Sequence, residues 1–566
     1  MRISCTVLSL LLATLAASAQ QENPDTLYNI QDTVLIRTRD GHFISSTIVM
    51  KKGDARPRPA ILFYTTYYQG PGDSFFGKIS ADRGYVGIVA YSRGIRTDLD
   101  EYFPYEHDGN DVYDVIDWIS RQSWCDGRVG MFGGSYTGFV QWSTVKNVHP
   151  ALKTIVPQVA VMPGFDSPME NNVPQSFALS WSNDILNYKP LPRDLNQTWY
   201  DKGTSYRTMD SLAGQPNRIF QKWLRHPAYD SYWKSFVPTP TEYANIKIPI
   251  LCTTGYFDGA QIGALEYVKQ YYKYNKNPNL YFVIGPYDHR GAQQGKPADT
   301  LMGYSIDSVA RTSMRGLAFQ WFDYIFNGKE KPGLLKDRIN YEVMGANQWK
   351  HAPSLESISN DTLTLYLNSD SIRDPYSLSA QKPRDKHFVD QIVDFKDRTT
   401  QNNYFTPFIM NDSLDASNGL VFETETITKP FILAGSFFGT LITSINKRDM
   451  DVSIAFYEQT PDGKYFYLTR YLGRASYAND NTTRQLLEPN EKTIIPVRAT
   501  RMVCKQFSKG SRLVIVLNVN KHPYEEINYG TGNNVHDETI ADAKGPLRVR
   551  WYDESFIKVP VWKDSK

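Results

Sequence analysis

The segment GRVGMFGGSYTGFVQW at residues 127–142 constrains the fold of this chain more than any other. The residues DGR (126–128) predict a turn that leads into the apolar strand VGMF (129–132). Glycines follow this strand, then Ser135, and then residues compatible with a helix. A serine on such a sharp strand-to-helix turn exposes its hydroxyl at the carboxyl end of a sheet, and the N–H of the next residue is free to bind an oxyanion. The strict G-x-S-x-G pattern is not met, because Thr137 stands where its second glycine is expected and Gly138 comes one residue later. A purely structural Gly-Ser turn is therefore the alternative interpretation.

The flanking segments predict alternating strands and helices. ILFYTT (61–66) and YVGIVAY (85–91) are apolar runs of strand length, and apolar residues recur at helical spacing over residues 111–120. Strand-like runs return at ILCTTG (250–255) and YFVIGP (281–286). Strand-helix-strand order of this kind builds a mostly parallel sheet with helices on its faces.

Two other parts of the chain have different patterns. Between about 160 and 245, prolines and tryptophans recur without strand periodicity, which predicts a helical insertion, and after Pro332 short alternating runs predict a β-sandwich or jelly roll. The predicted divisions are a signal peptide (1–19), the first part of an α/β core (25–155), a helical cap (156–245), the second part of the core (246–335) and a C-terminal jelly-roll β domain (340–562).

The first residues have the pattern of an export signal. Arg2 precedes an apolar stretch over residues 7–15, and Ala17-Ser18-Ala19 fits the cleavage pattern of a signal peptidase. The stretch is too short to span a hydrocarbon core of ~30 Å. We expect residues 1–19 to be removed and the protein to be exported, with periplasmic and fully secreted destinations both open. No later run offers 18 uninterrupted apolar residues, so no membrane span is expected.

Charge and cysteine content exclude several functions. The chain has 62 Lys+Arg and 60 Asp+Glu, a net charge of +2, so nothing favours nucleic acid as a partner. Cys125, Cys252 and Cys504 remain after removal of the signal, which does not make a disulfide framework. Neither a CxxC pair nor an HExxH motif occurs, so no metal or cofactor is predicted.

A nucleophilic serine needs a base, and the base needs an acid that orients it. Asp258 stands just after the run ILCTTG, and His289 stands just after YFVIGP. The chain order serine, aspartate, histidine, with each residue on a loop after a strand, is typical of serine hydrolases with an α/β-hydrolase fold. Ser135, Asp258 and His289 are therefore the candidate catalytic triad.

At this point the motifs resemble a known family. The run WCDGRVGMFGGSYTGFVQW together with GYFDG and GPYDHRG resembles the CocE/NonD hydrolases, a group of cocaine esterase-like enzymes, α-amino-acid ester hydrolases and glutaryl-cephalosporin acylases related to the Xaa-Pro dipeptidyl-peptidases. TRDGHFISSTI (38–48), AYSRGIRTD (90–98) and GLVFETETITKPFILAGS (419–436) extend the resemblance over nearly the whole mature chain. It implies an α/β-hydrolase core with an inserted helical cap and a C-terminal jelly roll. It also implies that Ser135 is the nucleophile, His289 the general base and Asp258 its orienter.

The resemblance also implies an oxyanion hole. The family uses a tyrosine hydroxyl after an early strand and the N–H that follows the serine. The matching positions in FYTTYYQG and GGSYTG are Tyr67 and the backbone of Tyr136. Thr66 replaces the proline that usually precedes this tyrosine, and Tyr68 follows directly, so Tyr68 is the alternative donor.

One departure from the family bears on the substrate. Relatives specific for α-amino acyl groups have carboxylates two and three residues beyond the catalytic acid, where this chain has Ala260 and Gln261. An ammonium in a dry pocket without a carboxylate partner is strongly disfavoured. A preference for free α-amino esters and a dipeptidyl-peptidase activity are both disfavoured, unless Asp166 or Glu170 of the cap substitutes.

The sequence thus predicts an exported serine hydrolase that cleaves small-molecule esters, in preference to amides, through an acyl-serine intermediate. An Xaa-Pro dipeptidyl-peptidase-like or acylase activity on amide bonds is the alternative, and a non-catalytic glycan- or peptide-binding protein is the third. The tryptophans of the cap predict a bulky apolar acyl group, although core packing explains them equally well; they are Trp181, Trp199, Trp223 and Trp233. The natural acyl group and the oligomeric state stay open.

Overall fold

A computed structural model describes residues 27–53, 56–70, 73–369, 375–384, 387–402 and 408–563. The predicted signal peptide lies outside these residues. Within them, no helix is both long enough and apolar enough to cross a bilayer.

The first part of the chain alternates strands and helices, as the apolar periodicity predicts. All six residues of the strand VGIVAY are buried, and the helix over Asp108–Ser120 buries the apolar face that the spacing indicates. The elements are β1 (Tyr28–Arg37), β2 (Phe43–Lys51), β3 (Arg58–Thr65), α1 (Phe75–Asp82), β4 (Val86–Tyr91), α2 (Asp108–Ser120), β5 (Cys125–Gly134), α3 (Tyr136–Thr144) and β6 (Leu152–Gln158).

The strand that leads to Ser135 begins earlier than predicted. The residues Asp126-Gly127-Arg128 have the pattern of a turn, yet they lie inside β5. The register between β3 and β5 shifts at this point, from Arg58 opposite Cys125 to Ala60 opposite Val129. The turn-like residues are accommodated as an irregularity of the strand, which continues on both sides of them.

The segment between β6 and the next strand of the sheet forms the cap, which is mostly helical, as predicted. Its helices are short, and side chains cap the amino-terminal ends of several of them. Asn217, for example, accepts through its side-chain oxygen from the backbone N–H groups of Ile219 and Phe220. The elements are β7 (Met169–Glu170), β8 (Val173–Pro174), α4 (Phe177–Ile185), α5 (Leu195–Lys202), α6 (Met209–Leu212), α7 (Arg218–Trp223), α8 (Ser231–Lys234) and α9 (Pro240–Asn245).

The α/β pattern then resumes and completes one ten-stranded sheet. The elements are β9 (Ile250–Phe257), α10 (Gln261–Tyr274), β10 (Leu280–Asp288), β11 (Thr300–Leu301), β12 (Tyr304–Ser305), α11 (Met314–Asn327), β13 (Ile339–Val343) and β14 (Gln348–Ala352). The strand order is β1-β2-β4-β3-β5-β6-β9-β10-β13-β14, with parallel pairings from β4 to β13. The carboxyl ends of β3, β5, β9 and β10 therefore lie at one edge, where ligands bind in open α/β sheets. The sheet runs on to Ala352, past residue 335, because β13 pairs with β10 and β14 with β13.

The remaining elements are strands of a second, predominantly antiparallel sheet of fourteen strands. They are β15 (Asp361–Asn368), β16 (Tyr376–Ser379), β17 (Phe388–Val393), β18 (Met410–Asn411), β19 (Leu420–Glu423), β20 (Phe431–Ser436), β21 (Phe438–Ile445), β22 (Asp451–Gln459), β23 (Tyr465–Arg474), β24 (Thr493–Val497), β25 (Met502–Phe507), β26 (Arg512–Val519), β27 (Leu547–Tyr552) and β28 (Phe556–Trp562). The predicted α/β-hydrolase core with an inserted helical cap is confirmed, and the C-terminal domain, predicted as a β jelly roll, is rich in β-sheet.

Candidate active site

Ser135 occupies a strained turn between β5 and α3. Its backbone has φ 63° and ψ −124°, and a positive φ is uncommon for a residue with a side chain. Its N–H donates to the carbonyl of Gln158 on the neighbouring strand at 3.1 Å. A Cβ on Gly134 would lie 2.2 Å from Gln293 Oε1, and a Cβ on Gly138 would lie 2.7 Å from the Gln158 carbonyl. Gly138 is therefore required by backbone that cannot move away, whereas a Cβ at Gly134 would have to displace the end of the Gln293 side chain.

Asp258 and His289 meet although 31 residues separate them. They lie at the ends of the adjacent parallel strands β9 and β10. Asp258 Oδ1 is 2.7 Å from His289 Nδ1, and the carboxylate also accepts from Thr254 Oγ1 at 2.6 Å and from the Ala260 N–H at 2.9 Å. The contact assigns a proton to Nδ1, which leaves Nε2 of the neutral ring as the basic nitrogen.

The two groups shift each other's pKa in opposite directions. Burial by itself raises the pKa of Asp258, but the charge and the hydrogen bonds of His289, Thr254 and Ala260 bring it below its ordinary value of 3.8. Burial by itself lowers the pKa of His289, but the Asp258 carboxylate raises it above the ordinary value of 6.5. The arrangement therefore strengthens the imidazole as a base while the aspartate stays ionised.

Tyr67 lies directly beside Ser135. Its hydroxyl donates to Ser135 Oγ at 3.4 Å and accepts from Nε1 of Trp181 on α4 at 3.2 Å. Burial raises the pKa of Tyr67, so the phenol stays protonated and can donate. Tyr68 instead packs edge-on against Tyr91, with ring centroids 5.4 Å apart. Of the two candidate tyrosines, Tyr67 is therefore the one beside the serine.

The side chain of Tyr136 is anchored behind the serine. Its hydroxyl donates to Asp108 Oδ2 at 2.6 Å and accepts from the Tyr105 N–H at 3.1 Å. Asp108 also accepts from Ser92 Oγ at 3.0 Å, and burial raises the pKa of this carboxyl to about 7. These bonds fix the position of Tyr136, whose backbone N–H follows the serine. No sequence pattern indicated a role for Asp108.

Ser135, Asp258, His289 and Tyr67 line one cavity of about 1020 Å³. Much of its wall is apolar, with aromatic residues from the core and the cap: Phe63, Phe75, Phe76, Phe177, Trp181 and Phe257. The C-terminal β domain completes the wall with Tyr467, Thr469, Arg470 and Arg501. Of the four tryptophans that the sequence singled out, Trp181 lines this cavity, whereas the other three are buried in the packing of the cap: Trp199, Trp223 and Trp233.

Glu170 of the cap is already paired within the protein. Arg501 Nη1 and Nη2 lie 2.9 and 2.8 Å from its two carboxylate oxygens, and Arg470 Nη2 is 3.4 Å away. Arg501 also donates to the backbone carbonyls of Asp258 and Gly259, at 3.4 and 3.1 Å. Burial by itself raises the pKa of Glu170, but the two guanidinium groups bring it below its ordinary value. The carboxylate therefore neutralises arginines and is not available to a substrate ammonium.

Asp166 is also committed. Its two oxygens accept from the backbone N–H groups of Met162 and Gly263, both at 2.8 Å, and burial raises its pKa to about 8. The group is therefore largely uncharged at neutral pH. Gln261 bonds through its side-chain amide to the backbone carbonyls of Gly255 and Met502, at 2.9 and 3.0 Å, and so connects the end of β9 to the β domain. Asp166 lines the cavity, whereas Glu170 does not, and protein groups already engage both of the acids that the sequence left open as substitutes.

Within the described residues, no group of three or more His, Cys, Asp or Glu side chains is arranged to hold a metal ion. Cys125, Cys252 and Cys504 are buried free thiols.

Two sequence families match most of the chain. Residues 40–291 match the family described as X-Pro dipeptidyl-peptidase (S15 family), and residues 335–549 match the X-Pro dipeptidyl-peptidase C-terminal non-catalytic domain. Among curated proteins, a cocaine esterase from Rhodococcus sp. (strain MB1 Bresler) is 23% identical over 565 residues, covering 92% of this chain and 95% of that protein.

Two solved structures share the fold. An aminopeptidase from a marine sediment Thaumarchaeota archaeon superimposes with a TM-score of 0.82 at 19% identity, covering 95% of this chain and 97% of its own. An α-amino acid ester hydrolase superimposes with a TM-score of 0.76 at 20% identity, covering 97% of this chain and 100% of its own.

Proposed function

Because this chain belongs to the CocE/NonD hydrolases, which are related to the X-Pro dipeptidyl-peptidases, we propose that it is a serine esterase whose acyl-enzyme forms on Ser135. The observation that carries the proposal is the opening of three elements into one cavity: the serine on its strained turn, the His289–Asp258 pair and the Tyr67 hydroxyl. Each supplies a different requirement of acyl transfer.

In the proposed reaction, His289 Nε2 takes the proton of the Ser135 hydroxyl as Oγ attacks the ester carbonyl. The Tyr67 O–H and the Tyr136 N–H bind the negative charge that develops on the carbonyl oxygen. The imidazolium then gives its proton to the leaving alkoxide, and an acyl-serine remains. Water attacks this ester with His289 again as the base. The carboxylic acid is released, and the serine hydroxyl is regenerated with the proton from His289.

Asp258 has an orienting role in this scheme. Its contact with Nδ1 selects the tautomer that exposes Nε2, and its charge stabilises the imidazolium that forms in each half of the reaction. The raised pKa of His289 and the lowered pKa of Asp258 are what this division of roles requires.

Esters are proposed as substrates in preference to amides and peptides. An alkoxide leaves more readily than an amine. The S15 family match favours an X-Pro dipeptidyl-peptidase activity as the second candidate. Such an activity needs a carboxylate for the free amine of the substrate, but Glu170 is paired with arginines and Asp166 is largely uncharged. The similarity to a protein named cocaine esterase favours the ester as well.

We also propose that the protein is exported after cleavage of residues 1–19, on the basis of the pattern of the first residues. The intact mass of the protein purified from its native source tests this, since cleavage after Ala19 leaves Gln20 at the amino terminus. A mass that includes residues 1–19 would contradict export by a cleaved signal.

The activated serine is tested with a fluorophosphonate probe and intact-mass analysis of the wild type and Ser135→Ala. One stoichiometric adduct in the wild type and none in the variant would support the proposal. Ser143→Ala is a matched control, because Ser143 is a serine of the adjacent helix α3 that does not line the cavity. An adduct that persists in Ser135→Ala, or no adduct on folded wild type, would contradict it.

A further inference from the structure

We propose that Trp181 of the cap is a positioning residue of the oxyanion site, whose indole N–H sets the direction in which the Tyr67 hydroxyl donates. The inference rests on the proposed function, because it assigns to Trp181 a part in the same acyl-transfer reaction. It makes the inserted cap a contributor to the chemistry as well as to the shape of the pocket.

In the hydrogen bond between Trp181 and Tyr67, the donor and the acceptor are fixed by the chemistry of the indole. Trp181 Nε1 is 3.2 Å from the Tyr67 hydroxyl oxygen, and the rings meet edge to face at 88°. An indole N–H can only donate, so the phenol oxygen must accept in this contact.

The Trp181 donor restricts the direction of the phenol hydrogen. A hydroxyl oxygen has two acceptor sites and one hydrogen, and its hydrogen rotates to suit its neighbours. Because the indole N–H occupies one acceptor site, the hydrogen points away from Trp181 and is donated to the other neighbour, Ser135 Oγ, at 3.4 Å. The tetrahedral oxyanion forms beside this atom. The Tyr67 donor is therefore oriented before the substrate arrives, which is the condition under which an oxyanion donor is most effective.

The position of Trp181 is itself determined by stacking. Its ring lies against Tyr136 at 5.8 Å between centroids and 26°, against Tyr105 at 6.4 Å and 2°, and against Trp223 at 5.9 Å and 26°. Because α4 belongs to the cap, the stacking on Tyr136 and the hydrogen bond to Tyr67 connect the position of the cap to the two tyrosines beside the serine. Replacement by phenylalanine keeps an aromatic ring for this stack and removes the N–H together with part of the indole, so the comparison of the two backgrounds is needed to separate the hydrogen bond from packing.

The test is a double-mutant cycle with Trp181→Phe and Tyr67→Phe, assayed on the p-nitrophenyl ester of a small apolar acid. Loss of one neutral hydrogen bond predicts that Trp181→Phe lowers kcat roughly 3- to 10-fold and leaves KM within about twofold. In the Tyr67→Phe background, where there is no hydroxyl to orient, Trp181→Phe is expected to cause no further loss of kcat. A role in packing alone would lower activity equally in both backgrounds.

Trp199→Phe is the matched control. Trp199 is another cap tryptophan whose indole N–H is bonded, in its case to the carbonyl of Thr204 at 3.0 Å, and it does not line the cavity. We expect this variant to keep the wild-type kcat. Equal losses in both backgrounds, or an unchanged kcat for Trp181→Phe, would overturn the role of Trp181 while the esterase assignment stands. A wild type without Ser135-dependent turnover would overturn both.

Discussion

Arg501 and Glu170 form a buried bidentate ion pair, with Nη1 to Oε1 at 2.9 Å and Nη2 to Oε2 at 2.8 Å. Glu170 belongs to the cap and Arg501 directly precedes β25 of the C-terminal β domain. The same guanidinium donates to the backbone carbonyl of Asp258, so the pair joins the β domain, the cap and the loop of the candidate catalytic acid. The β domain thus contributes to the wall of the cavity and to the placement of the loop that carries the aspartate.

Removing the charge of Glu170 tests how much the ion pair with Arg501 stabilises the protein. Glu170→Gln removes the carboxylate that Arg501 binds in a bidentate pair, while Arg470 keeps Glu525 at 3.7 Å. Breaking a buried pair destabilises proteins by about 3–5 kcal/mol. We expect a fall of that order in the free energy of unfolding, measured by denaturant titration. Asp390→Asn is the control, because its pair with Arg550 is solvent-exposed, and we expect a change within about 1 kcal/mol. Equal effects of the two substitutions would contradict a structural role for the buried pair.

Tyr67→Phe removes the hydroxyl beside Ser135 and keeps the ring. Loss of one oxyanion donor lowers kcat by roughly 100- to 1000-fold, and we expect KM to change little. Tyr68→Phe is the matched control in the neighbouring position, and its kcat is expected to stay within about twofold of the wild type because its ring packs on Tyr91. A larger loss in Tyr68→Phe than in Tyr67→Phe would reverse the assignment of the donor.

The pH dependence of kcat/KM reports the protonation of His289 in the free enzyme. The base must be neutral, and the Asp258 carboxylate raises the pKa of this histidine above its ordinary value of 6.5. Activity should therefore rise with pH through a midpoint above 6.5, as the imidazolium loses its proton. In Asp258→Asn the carboxylate that raises the pKa is gone, so the midpoint should move to lower pH while kcat falls by roughly 10⁴-fold. A midpoint that stays in place would show that another group titrates.

A pair of esters that differ only in an α-amino group tests the charge preference of the pocket. We expect the p-nitrophenyl ester of the acid without the amino group to have the higher kcat/KM, since Glu170 is paired and Asp166 is largely uncharged at neutral pH. An Xaa-Pro p-nitroanilide should be a poorer substrate than either ester. Faster turnover of the p-nitroanilide would favour the peptidase instead.

Much of the fold follows from local patterns. The apolar runs predicted β4, β9 and β10, and the helical spacing over residues 111–120 predicted α2. The turn predicted at residues 126–128 is instead an irregular part of β5, because strand pairing on both sides overrides the local preference. The alternative that Asp166 or Glu170 receives an ammonium also depended on tertiary contacts, since both acids are engaged by groups far away in the sequence.

The sequence by itself determined the strand-turn-helix around Ser135 and the placement of Asp258 and His289 after two strands, because backbone preferences and apolar periodicity act over a few residues. Only the tertiary structure decided that Tyr67 and not Tyr68 lies beside the serine, that Trp181 donates to Tyr67, and that Arg501 reaches Glu170. These contacts join residues 68, 114 and 331 positions apart. They depend on how the cap and the β domain pack on the core, which no local pattern records.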